Sequence, residues 1–187
     1  MTKSNNLLKY KVVLSGGPGS GKSTIINQLI LRKYKCFEEV SRSLIKEAQK
    51  KNYFKNYPLE FSEKVFNARV EDYEKSEYLV ISSSQPYIFF DRGIHDTVAY
   101  LNYLGKTNNY KEKLFKYKYD LVFLLDLNED FYINDNERLE TFHQALKIHK
   151  QIEEIYLKSN HETIKIPWMQ PIDRTNFIIN YCLNAFS

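Results

Sequence analysis

Residues 16–23 have the types and spacing needed to hold a polyphosphate. They read Gly-Gly-Pro-Gly-Ser-Gly-Lys-Ser and fit the P-loop pattern GxxxxGK(S/T). Glycines let backbone N–H groups approach a phosphate closely and permit the positive φ angles that such a loop needs. Lys22 supplies a charge for the β- and γ-phosphates, and Ser23 supplies a hydroxyl oxygen for Mg²⁺, which prefers oxygen ligands. We therefore predict that ATP and Mg²⁺ bind here, through Gly16, Gly17, Pro18, Gly19, Ser20, Gly21, Lys22, Ser23 and Thr24.

A second candidate for the metal site follows the apolar run at residues 87–90. Asp91 comes directly after this run, and Arg92 comes next. An acidic residue after a strand of a P-loop protein typically holds Mg²⁺, so we expect Asp91 to share the ion with Ser23. Arg92 would direct its donors into the same cleft. The alternatives are a helix N-cap for Asp91 and a surface ion pair for Arg92.

Two glutamates, Glu38 and Glu39, end a short segment at 36–40 that is predicted to be the second strand. A carboxylate at this position can accept a proton from a substrate hydroxyl, which is the work of a general base. Alternation along a strand places the two side chains on opposite faces, so only one of them faces the site. We favour Glu39, because Arg42 lies three residues further on; a solvated charge is the alternative for either residue.

A polar stretch at 128–137 precedes the longest predicted helix. Kinases commonly carry a mobile lid in this place, with an arginine that neutralises charge on the transferring phosphoryl group. Arg138 is the candidate, and an ordinary helix start capped by Asp135 is the alternative. Asp126 also follows an apolar run, but a strand end is its more ordinary role.

The elements that must position these residues alternate between strands and helices. This alternation predicts an α/β fold with three layers, in which a five-stranded, mostly parallel sheet has helices on both faces. Ligands of such sheets bind at the carboxyl ends of the strands, where all the candidates above lie. The predicted strands are 10–14, 36–40, 87–90, 121–125 and 163–166, and the predicted helices are 22–32, 41–48, 59–78, 94–104, 108–118, 138–159 and 172–186.

The length and composition of the chain restrict the possible classes of protein. The 187 residues suit a single domain, with residues 1–8 as a loose tail, and the aromatic content of 15% argues against global disorder. A net charge of +4, spread along the chain, favours a solvated surface over a nucleic-acid site. No apolar run is long enough to span a membrane, and no signal peptide is visible, so a cytoplasmic protein is expected. Cys36 and Cys182 match no metal or redox spacing.

Histidines and aromatic residues are weaker candidates. His143, His149 and His161 form no metal-binding spacing, so we interpret them as surface or core residues. His95 follows Asp91 closely enough to line the pocket. Helix 59–78 carries aromatic residues that either wall a substrate pocket or belong to the core, namely Phe61, Phe66 and Tyr73.

Four stretches that occur in order carry a resemblance to a known family. They are 16–24, 38–42 (Glu-Glu-Val-Ser-Arg), 90–100 (Phe-Asp-Arg-Gly-Ile-His-Asp-Thr-Val-Ala-Tyr) and 135–138 (Asp-Asn-Glu-Arg). Together they resemble the NadR-type AAA-domain ATP-binding proteins, a branch of the P-loop kinases, over nearly the whole chain. The relatives of that family include a nicotinamide riboside kinase domain and, more distantly, deoxynucleoside kinases and nucleoside monophosphate kinases.

The resemblance implies roles for particular residues. Glu39 is similar to the base of deoxynucleoside kinases, and Asp91 with Arg92 is similar to their acidic–arginine pair. The chain departs from that pattern with Asp-Arg-Gly in place of Glu-Arg-Ser, and with Val40 in place of a proline. The resemblance therefore implies phosphoryl transfer from ATP to a small hydroxyl acceptor, such as a nucleoside or related metabolite, and leaves the acceptor open.

Two other functions remain compatible with the residues. One is a nucleotide-binding regulatory NTPase with slow hydrolysis and a protein or lipid partner. The other is an enzyme that acts on the 5′-hydroxyl of a nucleic acid, which usually requires clustered cations for the backbone phosphates. The absence of an Asn-Lys-x-Asp guanine signature favours ATP over GTP.

Overall fold

The computed structural model describes residues 8–41, 44, 56–106, 109–132 and 140–186. Strands and helices alternate through most of this part of the chain. In chain order the elements are β1 (Tyr10–Ser15), α1 (Lys22–Leu31), β2 (Lys35–Phe37), α2 (Pro58–Tyr78), β3 (Tyr87–Asp91), α3 (Ile94–Tyr103), α4 (Tyr110–Leu114), β4 (Leu121–Leu125), a 3₁₀ helix (Glu129–Phe131), α5 (Phe142–Lys158), β5 (Thr163–Ile166) and α6 (Pro171–Ala185).

The strands form one five-stranded sheet in the order β2-β3-β1-β4-β5, and every pairing is parallel. The continuous apolar runs of β3 and β4 are buried along their whole length, as parallel strands covered on both faces must be. β1 lies in the middle of the sheet, so the P-loop emerges at its centre, where chain connections diverge to the two sides. The predicted α/β fold is confirmed.

Two apolar layers hold helices on the two faces of the sheet. Side chains alternate along β1, so Val13 faces one layer while Val12 and Leu14 face the other. The first layer includes apolar residues of α2, α3 and α5, and the second includes those of α1 and α6. The P-loop and the predicted acidic residues are therefore attached to a sheet that is packed on both faces.

Three element boundaries differ from the prediction. β2 ends at Phe37, so Glu38 and Glu39 lie in the loop that follows and not in the strand. The helix predicted at 108–118 is the shorter α4. The long helix starts at Phe142, and not at Arg138, because Thr141 is its N-cap: the Thr141 hydroxyl accepts from the Gln144 N–H at 3.3 Å, and the Gln144 side chain accepts from the Thr141 N–H at 2.8 Å.

Several predictions fall on residues outside the described part of the chain. They concern the lid arginine Arg138, residues 1–7 of the predicted tail, and most of the predicted helix at 41–48. Across the described ranges, none of the helices combines the length and the apolar character that crossing a membrane requires.

Candidate active site

The P-loop occupies the turn between β1 and α1, as the motif predicts. Gly16 has a φ of 139°, and a Cβ at this position would lie 2.6 Å from the carbonyl oxygen of Leu125. Only glycine combines this backbone angle with this close approach to β4. The loop is thus shaped by its own sequence and by the neighbouring strand together.

The ammonium group of Lys22 lies at the centre of the loop. Its Nζ donates at 2.8 Å to the carbonyl oxygens of Gly16 and Gly17 and to Oγ of Ser20. Burial, assisted by the nearby Arg92, lowers the pKa of Lys22 to about 7. A polyphosphate in the loop would favour the charged form, because an opposite charge offsets the cost of burial.

Ser23 and Asp91 meet at the edge of the loop, as predicted for a shared metal site. Ser23 Oγ lies 3.3 Å from Asp91 Oδ2, while Asp91 Oδ1 is buried and has no hydrogen-bond partner among the described residues. Burial and the charge of Glu39 raise the pKa of Asp91 to about 6. A buried carboxylate oxygen without a partner, beside a hydroxyl, suits a hard cation such as Mg²⁺.

The helix-cap alternative for Asp91 is wrong. Asp91 is the last residue of β3, and the N-cap of α3 is Gly93, whose N–H donates to Asp96 Oδ2 at 3.0 Å. A side chain at Gly93 would collide with the hydroxyl group of Tyr156, which donates to the same Asp96 oxygen at 2.6 Å. The tyrosine therefore explains why a glycine follows Asp-Arg in this chain.

Glu39 is held between two arginines. Its Oε2 accepts from Nε of Arg92, its Oε1 accepts from Arg69 at 3.0 Å, and the Ser41 hydroxyl donates to Oε1 at 2.8 Å. Burial alone would raise the pKa of Glu39, but the two guanidinium groups outweigh burial and lower it to about 2. Glu38 is exposed, so Glu39 is the glutamate that reaches the cluster.

Arg92 links the glutamate to the P-loop. Its NH1 lies 3.2 Å from the carbonyl oxygen of Gly16 and 3.5 Å from Asp96 Oδ1. Its backbone has a φ of 74°, a left-handed conformation that non-glycine residues rarely adopt and that is often found at functional sites. The surface ion pair considered as an alternative is wrong, because only 18% of the Arg92 side chain is exposed.

A cavity of about 230 Å³ opens between the P-loop and this cluster. Lys22 and Ser23 line one end, and Glu39 lines the other part together with both arginines. The apolar wall of the cavity is formed by Phe61, Val65, Ile148 and Ile152. Phe61 thus lines the predicted pocket, whereas Phe66 and Tyr73 pack in or against the apolar core.

Other predicted candidates lie elsewhere. His95 is fully buried among Tyr119, Tyr156 and His161, so the expectation that it lines the pocket is wrong. Asp126 lies near the P-loop, with its Oδ1 3.8 Å from Nε2 of His149. The described residues contain no cluster of three potential metal ligands from histidine, cysteine or acidic side chains.

Three of the buried polar residues near the site that sequence reasoning missed are Arg69, His149 and Arg174. Arg174 donates to the carbonyl oxygens of Ser20 at 2.7 Å and Asp126 at 2.9 Å, so it ties the P-loop to the end of β4. All three residues lie on the buried stripes of their helices. A charged or titratable residue at an apolar helical spacing was the signal that could have revealed them.

Comparison with known proteins identifies the family of the chain and its fold. The sequence model of a family described as "AAA domain" matches residues 11–174. The chain belongs to this family. No curated protein matches the sequence at a significant level.

Solved structures extend the comparison to the fold. A deoxyadenosine kinase from M. mycoides with bound dATP has 18% identity and a TM-score of 0.71, with 92% of this chain and 98% of that chain covered. A thymidylate kinase from Candida albicans has 18% identity and a TM-score of 0.70, with 95% and 92% covered. A thymidylate kinase from Ehrlichia chaffeensis has 18% identity and a TM-score of 0.61, with 94% and 99% covered. The chain thus has a P-loop kinase fold; its placement among NadR-type proteins stays a prediction.

Proposed function

We propose that this protein is a kinase that transfers the γ-phosphoryl group of ATP to a hydroxyl group of a nucleoside or a related metabolite. One observation carries the proposal: the P-loop lysine and the paired carboxylate Glu39 line the same cavity. A phosphoryl donor and a hydroxyl acceptor must meet in line, and a single cavity between these groups allows that. The kinases that share the fold support the same class of reaction.

On the donor side, the loop residues 16–24 would bind the phosphates of ATP, and Lys22 would stabilise charge on the β- and γ-phosphates. Ser23 and Asp91 would hold Mg²⁺, which when bound supplies positive charge at these phosphates. Arg92 is near enough to the loop, through Gly16, to stabilise charge on the transferring group. Arg138, which lies outside the described residues, is proposed for the same task.

On the acceptor side, Glu39 would receive the hydrogen bond of the attacking hydroxyl and finally its proton. The low pKa keeps Glu39 ionised at all physiological pH values, so the acceptor oxygen of the carboxylate is always available. A carboxylate with so low a pKa is a weak base. It is sufficient because phosphoryl transfer proceeds through a loose transition state, in which the hydroxyl gives up its proton late.

The charges of the cavity favour an acceptor without a phosphate group. Within the described lining, Arg69 pairs with Glu39, and Arg92, which pairs with Glu39 and lies beside Asp96, is already assigned to the transferring phosphoryl group, so neither arginine is left for a phosphate on the acceptor. A nucleoside monophosphate would need cations of its own, since a buried phosphate must be paired. The apolar wall with Phe61 suits the flat base of a nucleoside.

The test is the formation of ADP from ATP–Mg²⁺ in the presence of a nucleoside panel and, separately, of the matching monophosphates. Nucleoside-dependent ADP formation, lost in Lys22→Ala, is the expected result. Stimulation by monophosphates alone would contradict the assigned acceptor class. Slow ADP formation that is indifferent to every acceptor would overturn the kinase proposal in favour of a regulatory NTPase.

A further inference from the structure

The P-loop is joined to α5 by a hydrogen bond to the side chain of His149. The N–H of Gly17 donates to Nδ1 of His149 at 3.3 Å, and only 9% of His149 is exposed. This helix also supplies Ile148 and Ile152 to the cavity wall. His149 therefore joins the nucleotide loop to an element of the acceptor pocket.

The bond fixes the orientation of one peptide group. The carbonyl of Gly16 and the N–H of Gly17 belong to the same trans peptide and point in opposite directions. The carbonyl accepts from Lys22 Nζ at 2.8 Å and from Arg92 at 3.2 Å, on the inner side of the loop. His149 thus holds the outer end of a peptide whose inner end orients two cations of the site.

Backbone packing supports the same contact. A Cβ on Gly17 would lie 2.6 Å from the carbonyl oxygen of Ala145 and 3.2 Å from Cβ of His149. The loop is therefore seated directly on the backbone of α5. This close approach places the Gly17 N–H against α5, where Nδ1 of His149 accepts its hydrogen bond, so a variant without Nδ1 loses that bond.

The protonation state of His149 follows from this arrangement. Because Nδ1 accepts, the ring proton is on Nε2, which lies 3.8 Å from Asp126 Oδ1. The other charged groups around the ring are Lys22 from the loop, Lys165 from β5 and Glu153 from α5 itself. Protonation of Nδ1 would place two N–H groups opposite each other and break the contact.

We propose that His149 is a positioning residue for nucleotide binding, which holds the peptide between Gly16 and Gly17 with its carbonyl directed at Lys22 and Arg92. The inference rests on the proposed binding of ATP by the P-loop. It assigns no direct contact between His149 and the nucleotide. His149 acts only through the shape of the loop.

The test is a calorimetric titration of the protein with ATP–Mg²⁺ at pH 8, which requires no acceptor and no turnover. Three variants are compared: His149→Leu, which removes the acceptor; His149→Asn, whose side-chain oxygen can replace Nδ1; and His143→Leu, an exposed control on the same helix. His149→Leu is expected to bind ATP about tenfold more weakly, the effect of an unpaired buried N–H. His149→Asn is expected to lie within about threefold of wild type, because an amide oxygen also accepts from an N–H.

A second arm remains decisive if the leucine variant does not fold. Wild type and His149→Asn are titrated with ATP–Mg²⁺ at pH values from 8 to 5.5. The quantity followed is the affinity of wild type for ATP divided by that of His149→Asn. Burial lowers the pKa of His149, so the ratio of the wild-type affinity to the His149→Asn affinity should be constant near neutral pH and fall only in the acidic part of this range, as the wild-type ring gains a proton. Protonation of ATP affects both proteins equally and cancels in the ratio.

Each outcome supports or overturns the positioning role of His149 or the proposed function. Weaker binding in His149→Leu, recovery in His149→Asn and a falling ratio at low pH support the positioning role. Equal binding by wild type and His149→Leu, or a ratio independent of pH when the leucine variant does not fold, would overturn it. Failure of wild type itself to bind ATP would overturn the proposed function and the inference with it.

Discussion

The donor side and the acceptor side of the cavity are built in different ways. The donor side is one run of consecutive residues, 16–24. Its shape depends on glycines with positive φ angles and on hydrogen bonds that Lys22 Nζ donates to backbone carbonyl oxygens of the loop. The acceptor side brings together, through charge pairs, residues from three separate segments of the chain: Glu39 from the loop after β2, Arg69 from α2 and Arg92 from the turn after β3. One side is thus specified locally, and the other exists only in the folded chain. We therefore expect changes on the two sides to have separable effects on ATP and on the acceptor.

The largest effect is expected on the donor side. Lys22→Ala removes the charge at the centre of the loop and should lower turnover on the order of 10³-fold, a size typical for groups that stabilise a transferring phosphoryl group. ATP binding, measured by titration, should weaken as well. Lys147→Ala, at an exposed position of α5, is the control and should retain wild-type activity. Activity close to wild type in Lys22→Ala would refute the site.

The next effect separates the two sides most clearly. Glu39→Gln keeps the shape of the side chain and removes its charge, so kcat should fall by about 10²-fold or more, the contribution of a general base. The affinity for ATP should change far less than kcat, because Glu39 is linked to the loop through Arg92, whose NH1 lies 3.2 Å from the carbonyl oxygen of Gly16. Glu38→Gln, one residue away and exposed, should behave as wild type. A loss in Glu38→Gln instead would mean that the wrong glutamate has been assigned.

A substitution of Arg69 changes the acceptor side alone. Its guanidinium donates to Glu39 at 3.0 Å and to the Thr97 hydroxyl at 2.8 Å. Arg69→Lys keeps the charge but cannot hold both partners, so KM for the acceptor should rise about tenfold. ATP affinity should not change. An equal loss of ATP affinity in this variant would show that the two sides are coupled more tightly than their contacts indicate.

The last effect is on stability and concerns the core beneath the acceptor side. Burial and the neighbouring His161 lower the pKa of His95 to about 3, while burial and Lys118 lower that of His161 to about 4. Below pH 6.5 the unfolded chain binds these protons and the folded chain does not. The free energy of unfolding should therefore decrease as pH falls through this window, by up to about 2 kcal/mol at pH 5 from His95 alone.

Urea unfolding at pH 7.5 and pH 5 measures this dependence. In His95→Leu the difference in unfolding free energy between the two pH values should shrink, because the buried ring no longer titrates. His143→Leu, an exposed histidine of α5, should keep the wild-type difference. An unchanged difference in His95→Leu would contradict the buried, neutral state of His95.

Local patterns in the sequence predicted the donor side and most of the sheet. The apolar runs of β3 and β4 and the P-loop motif are continuous in sequence, so their structure depends little on distant residues. The acceptor side was predicted in part. Alternation along a strand implied that one of the two glutamates faces the site, and Arg42 was the reason for favouring Glu39. In the structure β2 ends at Phe37, and the Glu39 side chain is oriented by Arg69 and Arg92.

The residues that were missed share one physical reason. Arg69 and His149 lie on amphipathic helices, where a polar residue is expected at the surface. The cost of burying these side chains is offset by hydrogen bonds to Glu39 and to the Gly17 N–H. Helical spacing can indicate that the two residues are buried, but no local pattern identifies these distant partners. His95 was misplaced for the opposite reason: closeness to Asp91 in sequence does not fix the face of α3 on which the side chain lies.

The most direct test of the account follows the phosphoryl group itself. ATP labelled at the γ-phosphate is incubated with Mg²⁺ and the active nucleoside, using wild type, Glu39→Gln and Glu38→Gln. We predict that the label appears in the nucleoside monophosphate with wild type and with Glu38→Gln, and that the rate of labelling is about 10²-fold lower with Glu39→Gln. Label recovered only as inorganic phosphate, at the same rate in all three proteins, would contradict it.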